Sequence, residues 1–153
     1  MLTESNRLKG QLPTELTSLP SLYEVNVRNN QISGLIPTDF ANLSNLTYFV
    51  LEDNRFNSTL PVELFYISSL KVFSVSENDL EGPIPSVIAD LDKLETLNLA
   101  GNSFEGEIPE EIGGLERLIS LDLQSNKLSG EVPISLGSLN SLGEKLVDSF
   151  FSL

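Results

Sequence analysis

The chain holds no histidine and no cysteine. That removes Ser-His-Asp and Cys-His nucleophiles, thiolate zinc sites and disulfides together. Carboxylates are what remain to do chemistry. Glu110 and Glu111 stand side by side directly after Pro109. Acids at the start of a helical turn complement its dipole, and this structural role outweighs a catalytic pair. Gly113-Gly114 lacks the lysine and the context of a phosphate loop. No catalytic residue and no cofactor are expected. A second acidic group is Glu52, Asp53 and Glu77, with Arg28 flanking it. Three such carboxylates could meet a basic ligand group, hold Ca²⁺ through oxygen ligands, or form a solvated acidic face. The solvated face is the plainest of the three, and no metal site is expected, because no partner carbonyls accompany the acids. Whether these side chains meet depends on the elements that carry them.

Those elements repeat. Asparagines fall at Asn6, Asn30, Asn54, Asn78, Asn102 and Asn126, and prolines at Pro13, Pro37, Pro61, Pro85, Pro109 and Pro133, both at a period of 24 residues without insertion or deletion. A fixed period of this length is the mark of a solenoid, in which each coil buries its core only against its neighbours. The coil from Leu22 shows the logic. Leu22, Val25 and Val27 point inward, the last two at the period-2 spacing of a short strand. Stacked copies make a parallel sheet with strands about 4.8 Å apart. Asn30 ends the strand. An unpaired buried amide costs about 1–3 kcal/mol, so its regular return implies a ladder in which all six asparagines bond to backbone groups of adjacent turns. Ile32 re-enters the core, Gly34 permits a turn, and Pro37 is expected at the first position of a short 3₁₀ or α turn over 38–43. The glycine series reads Gly10, Gly34, Ser58, Gly82, Gly106, Gly130, with Ser58 its one lapse.

Complete coils start near Leu22, Leu46, Leu70, Leu94 and Leu118. The first coil is truncated, its strand reduced to Met1–Thr3, and a further one at Leu142 decays at once. The expected organisation is a repeat array over 1–142 and a tail over 143–153. Leu146, Val147, Phe150 and Phe151 have helical spacing, so the tail is either a helical cap over the open core or a frayed end.

Apolar residues make up 40% of the 153, enough for a core, and the net charge is −13. That charge speaks against a nucleic-acid partner, since phosphates need clustered Lys and Arg, and against contact with anionic membranes. No apolar run is long enough to span a bilayer, and the first residues lack the apolar region of a signal peptide.

The segments ISGLIP (32–37), LEGPIP (80–85), FEGEIP (104–109) and LSGEVP (128–133) resemble the plant-type leucine-rich repeat family, over nearly the whole chain. The resemblance implies an α/β solenoid: a curved right-handed superhelix with a concave parallel β-sheet, short 3₁₀ or α turns on the convex side and a second, short sheet. Relatives include ectodomains of receptor-like kinases, receptor-like proteins and polygalacturonase inhibitors. It therefore implies a protein or peptide ligand on the concave face and an extracellular or cell-surface location. Such ectodomains usually carry capping segments, often with cysteines. Their lack here leads to the expectation of a middle-to-end segment of an array, or a minimal one.

The concave face is then the default binding surface. Its outward positions form columns: Tyr23, Thr47, Lys71, Glu95, Ile119; Glu24, Tyr48, Val72, Thr96, Ser120; Asn26, Val50, Ser74, Asn98, Asp122; Arg28, Glu52, Ser76, Ala100, Gln124; and Asn29, Asp53, Glu77, Gly101, Ser125. Tyr23, Tyr48, Val50 and Val72 make an aromatic-aliphatic patch. It is either a binding anchor or the ordinary scatter of exposed apolar groups. With Arg28, Glu52, Asp53 and Glu77 beside it, the first half of the face is where a partner is expected. Thr96, Asn98, Ala100, Gly101 and Ser120 make the second half small and featureless. Sequons at Asn42, Asn45 and Asn57 are candidate N-glycosylation sites, with Asn42 expected on the convex side, although composition alone would supply about two. Three readings follow: a non-catalytic recognition module, the sensing segment of a signalling enzyme whose catalytic domain lies elsewhere, or an intracellular scaffold.

Overall fold

The computed structural model describes residues 6–143. The strand expected at Met1–Thr3 and the helical cap expected beyond Gly143 lie outside the described residues. In chain order the strands are β1 (Lys9–Gly10), β2 (Glu24–Asn26), β3 (Gln31–Gly34), β4 (Tyr48–Val50), β5 (Arg55–Phe56) and β6 (Val72–Ser74). They continue as β7 (Glu81–Gly82), β8 (Thr96–Asn98), β9 (Ser103–Glu107), β10 (Ser120–Asp122) and β11 (Lys127–Ser129).

Every second strand enters one parallel five-stranded sheet, β2-β4-β6-β8-β10. Its register is the repeat itself. Tyr48 lies opposite Glu24 on one side and Val72 on the other, and Phe49 lies between Val25 and Phe73. The side-chain alternation of a strand then sends Val25, Phe49, Phe73, Leu97 and Leu121 into the core, where all five are buried. A run of stacked rings fills the middle coils. Phe40 stacks on Phe49 at 5.3 Å, Phe49 on Phe73 at 6.1 Å, and Phe65 meets Phe73 edge-on at 6.1 Å. Offset and edge-on pairs of this kind add about 0.5–1.5 kcal/mol each beyond their buried area.

The opposite wall consists of five-residue 3₁₀ turns, such as Thr38–Asn42, Val62–Tyr66 and Glu110–Gly114. Each follows a proline. The proline sits at the N-cap rather than at the first turn position, with Pro37 extended at φ −68°, ψ 134°. The reason is the tighter 3₁₀ ring: Phe40 N–H donates to Pro37 O at 3.3 Å, so the proline carbonyl already closes the turn. Phe40, Ile88, Ile112 and Leu136, and in the turn Val62–Tyr66 both Leu64 and Phe65, plug the core from this side.

Between these walls run two three-stranded sheets, β1-β3-β5 and β7-β9-β11. The break falls at Ser58, the lapse in the glycine series. Gly34, Gly82, Gly106 and Gly130 all take φ between 81° and 91°, where an L side chain is strained. Ser58 does not adopt a positive φ, so β5 stops at Phe56. Two backbone bonds still bridge the gap: Asp79 N–H to Phe56 O at 2.9 Å and Glu81 N–H to Ser58 O at 3.0 Å.

Candidate ligand-binding face

The asparagine ladder positions everything on the outer face of the five-stranded sheet. Asn54 is representative. Its Oδ1 accepts from Ile32 N–H at 3.0 Å, one coil back. Its Nδ2 is shared among the carbonyls of Val27, Leu51 and Glu52 at 2.9–3.0 Å. Asn78, Asn102 and Asn126 repeat this set, with Oδ1 accepting from Phe56, Leu80 and Phe104. Asn30 Oδ1 accepts from Leu8 N–H at 3.0 Å, and Asn6 joins through its backbone N–H to Asn29 O. Because the amide binds residues before it in its own coil and across the coil boundary, it ends the strand and locks the next coil in register.

The residue before each asparagine from Asn30 to Asn126 is held in the left-handed region. Asn29, Asp53, Glu77 and Ser125 have φ of 51–57°, and Gly101 has 62°. Sequence reasoning assigned this column only to the surface. Its signal was the run of Asn, Asp, Gly and Ser, the types that tolerate such a conformation.

Tyr23 and Tyr48 are 60% and 41% exposed. They are adjacent, since both Thr47 and Tyr48 donate their N–H to Tyr23 O. Val72 lies opposite Tyr48, and Val50 opposite Ser74; both valines are half-buried. The backbone register thus places Tyr48 beside Val72 on the next coil, with Tyr23 on the coil before. Arg28, on the coil before, is half-buried.

The three carboxylates do not converge. Glu52 turns onto the next coil, where its Oε1 accepts from the Ser74 hydroxyl. Glu77 leans over Gly101, so closely that a Cβ there would lie 2.3 Å from its Oε1. Asp53 is exposed between them. Among the described residues no three acidic side chains are grouped to hold a metal ion. Ser74, Ser76 and Ala100, assigned to the exposed columns, are in fact buried. Small side chains on a flat sheet are covered by their longer neighbours, Glu52 above all.

Lys71 and Glu95, on successive coils, pair at 2.9 Å, and this hydrogen bond together with the Glu95 charge raises the lysine pKa. Asn45, exposed, donates its Nδ2 to Pro20 O at 2.8 Å. Asn42 ends the 3₁₀ turn Thr38–Asn42, and Asn57 lies just after β5; both are exposed.

Residues 21–43, 69–91, 93–115 and 117–139 match the Leucine Rich Repeat family. No curated protein matches the chain. Among solved structures, the ectodomain of the Arabidopsis thaliana receptor kinase GASSHO1/SCHENGEN3, in complex with CASPARIAN STRIP INTEGRITY FACTOR 2, is 40% identical over 91% of this chain, with a TM-score of 0.90. The ectodomain of the Arabidopsis receptor kinase HAESA, in complex with an IDA peptide hormone, is 33% identical over 94%, with a TM-score of 0.90. This chain covers 17% and 24% of those two structures, about a fifth of their length. It covers 72% of the ectodomain of the Arabidopsis thaliana receptor kinase SOBIR1, at 30% identity and a TM-score of 0.80. The concave parallel sheet, the 3₁₀ wall and the asparagine ladder therefore have one common source: the chain belongs to the leucine-rich repeat family, in the form found in plant receptor-kinase ectodomains.

Proposed function

We propose that this chain is a non-catalytic recognition module that binds a protein or peptide on its concave face. The observation that carries the reading is the pair Tyr23 and Tyr48, two exposed rings on successive coils at the outer face of the parallel sheet. Aromatic anchors on a pre-formed surface give contact area at little entropic cost. Val50 and Val72 complete the apolar contact, and Arg28, Glu52, Asp53 and Glu77 supply polar contacts at its edge. The similar ectodomains of GASSHO1/SCHENGEN3 and HAESA, each in complex with a hormone or factor, support the same reading. Titration of a peptide ligand against Tyr48→Ala and Glu52→Lys tests it. Loss of affinity in either supports the face; unchanged affinity in both places the ligand elsewhere.

A second reading is favoured by the repeated similarity to receptor kinases. In it the chain is the sensing segment of a signalling enzyme whose catalytic domain lies outside these residues, on the extracellular side of the cell surface. Recovery of the protein in a secreted fraction with glycan on Asn42 or Asn57 would support that placement, and its retention in the cytosol would sink it.

A further inference from the structure

We infer that the lateral face, built on the sheets β1-β3-β5 and β7-β9-β11, is a contact surface for a second copy of this chain, held by opposite charge. Each coil presents three outward positions there, one, three and five places after its ladder asparagine. They alternate with buried residues such as Ile32 and Ile36. Over the first three coils these positions hold Arg7, Lys9 and Arg55 and no acid, although the chain has 22 acids and only nine bases. Over the next three they hold Asp79, Glu81, Glu105, Glu107 and Glu131, against Lys127 alone. The face therefore carries +3 on one side of the break at Ser58 and −4 on the other. All of these side chains are exposed, and none forms an ion pair among the described residues.

A face of this polarity is complementary to itself turned end for end. A two-fold axis along the strands, through the gap between β5 and β7, sets coil against coil in reverse order. Equivalent positions then meet. Arg55 and Asp79 each directly follow a ladder asparagine, in the two coils that flank the gap. Arg55 of each copy faces Asp79 of the other, so the pair is made twice at the centre, as an isologous contact requires. The net charge of −13 opposes self-association as such. At about 0.15 M salt, however, the screening length is about 8 Å, so facing side chains attract while the bulk of the two molecules is screened. Six coils and five residues per lateral segment give a footprint of about 24 by 17 Å, or about 400 Å² per copy. That is about half of a standard interface, so the contact is a weak and reversible dimer. The concave sheet lies on another side and stays free for its ligand.

Analytical ultracentrifugation of the unglycosylated chain tests the contact, since a glycan on Asn57, beside the axis, would hold the copies apart. A concentration-dependent dimer is expected at about 0.15 M salt, and its loss at about 1 M, where the screening length falls to about 3 Å. Arg55→Glu and Asp79→Arg each set like charges together at both central places and should weaken the dimer by about tenfold or more. Both kinds of side chain already occupy this column in other coils, so folding is preserved. An equimolar mixture of the two variants again opposes unlike charges at both places and should recover the dimer. A wild-type chain that stays monomeric up to about 1 mM, variants that dimerise as the wild type does, or a mixture that remains dissociated would each overturn the contact. None of these results touches the concave-face reading.

Discussion

The coils from Leu46 to Pro61 and from Leu94 to Pro109 share a scaffold and differ in almost everything else. Their inner residues correspond one to one. Leu46, Phe49, Leu51 and Phe56 are fully buried, as are Leu94, Leu97, Leu99 and Phe104. Asn54 and Asn102 make the same bonds to equivalent backbone groups. Their outer residues do not correspond in kind: Tyr48, Val50, Glu52 and Asp53 in one, Thr96, Asn98, Ala100 and Gly101 in the other. The lateral strands differ too. β5 has two residues and β9 has five, because Ser58 stands where Gly106 does. Stacking fixes the inner half of every coil, since an error there is felt by both neighbours. The outer half meets only solvent or partner and is free to specialise.

The comparison is most easily broken in the core. Phe49→Ala should cost about 3–5 kcal/mol and Leu97→Ala about 2–5 kcal/mol, the usual price of a large cavity. Denaturant unfolding of each variant measures this. If one substitution proved nearly silent, the two coils would not be equivalent scaffolds.

The ladder comes next. Asn78→Ala strands the buried Phe56 N–H and removes the donor shared by Leu51, Val75 and Ser76. A loss of about 1–3 kcal/mol is expected. Asn126→Ala, in the last complete coil, breaks the equivalent bonds where Gln124 and Ser125 are exposed and water can replace them. Its cost should be smaller, and an equal cost would show that burial does not grade the ladder.

This hierarchy explains what could be read from the residues alone. Position in a coil was legible because the core tolerates only apolar bulk and the turn only asparagine and proline, so Leu8, Ile32, Phe56, Leu80, Phe104 and Leu128 align without a gap. The solenoid and its parallel sheet followed. What escaped was the lean of long side chains. Glu52, Asp53 and Glu77 were close in column position, which suggested convergence, yet Glu52 turns to Ser74 and Glu77 to Gly101. Rotamer choice depends on which neighbour is small, and the period carries no information about that. The burial of Ser74, Ser76 and Ala100 is the same effect seen from below.

Exchanging the outer residues sharpens the contrast without touching the core. Tyr48→Thr and Thr96→Tyr should each change stability by no more than about 0.5 kcal/mol, as surface substitutions do. Tyr48→Thr should weaken a concave-face ligand by about tenfold, the loss of one aromatic anchor. The double variant should not recover that loss, because the transplanted ring stands three coils from Tyr23 and lacks its partner. Calorimetric titration of the three variants separates these outcomes, and full recovery would mean that any exposed ring on the sheet suffices.

The smallest expected effect lies at the boundary between the two regions. Lys71 and Glu95 link adjacent coils across the outer face, with side chains 43% and 38% exposed. Solvent screens such a pair strongly, so its contribution to folding is slight. Its direction with pH is still defined. The Glu95 hydrogen bond, and then its charge, hold the lysine pKa above the usual 10.5. A raised value means that the folded state holds the proton more tightly than the unfolded chain. The stabilisation is therefore complete below about 10.5 and fades as pH climbs through the raised value. In Glu95→Gln, an NMR titration at Lys71 should move back toward 10.5, and the small stability difference from the wild type at neutral pH should close above that range. An unchanged Lys71 titration would show that the pair does not persist in solution. Glu95 would then be a free carboxylate, and the description of the second half of the face as small and featureless would need to be redrawn.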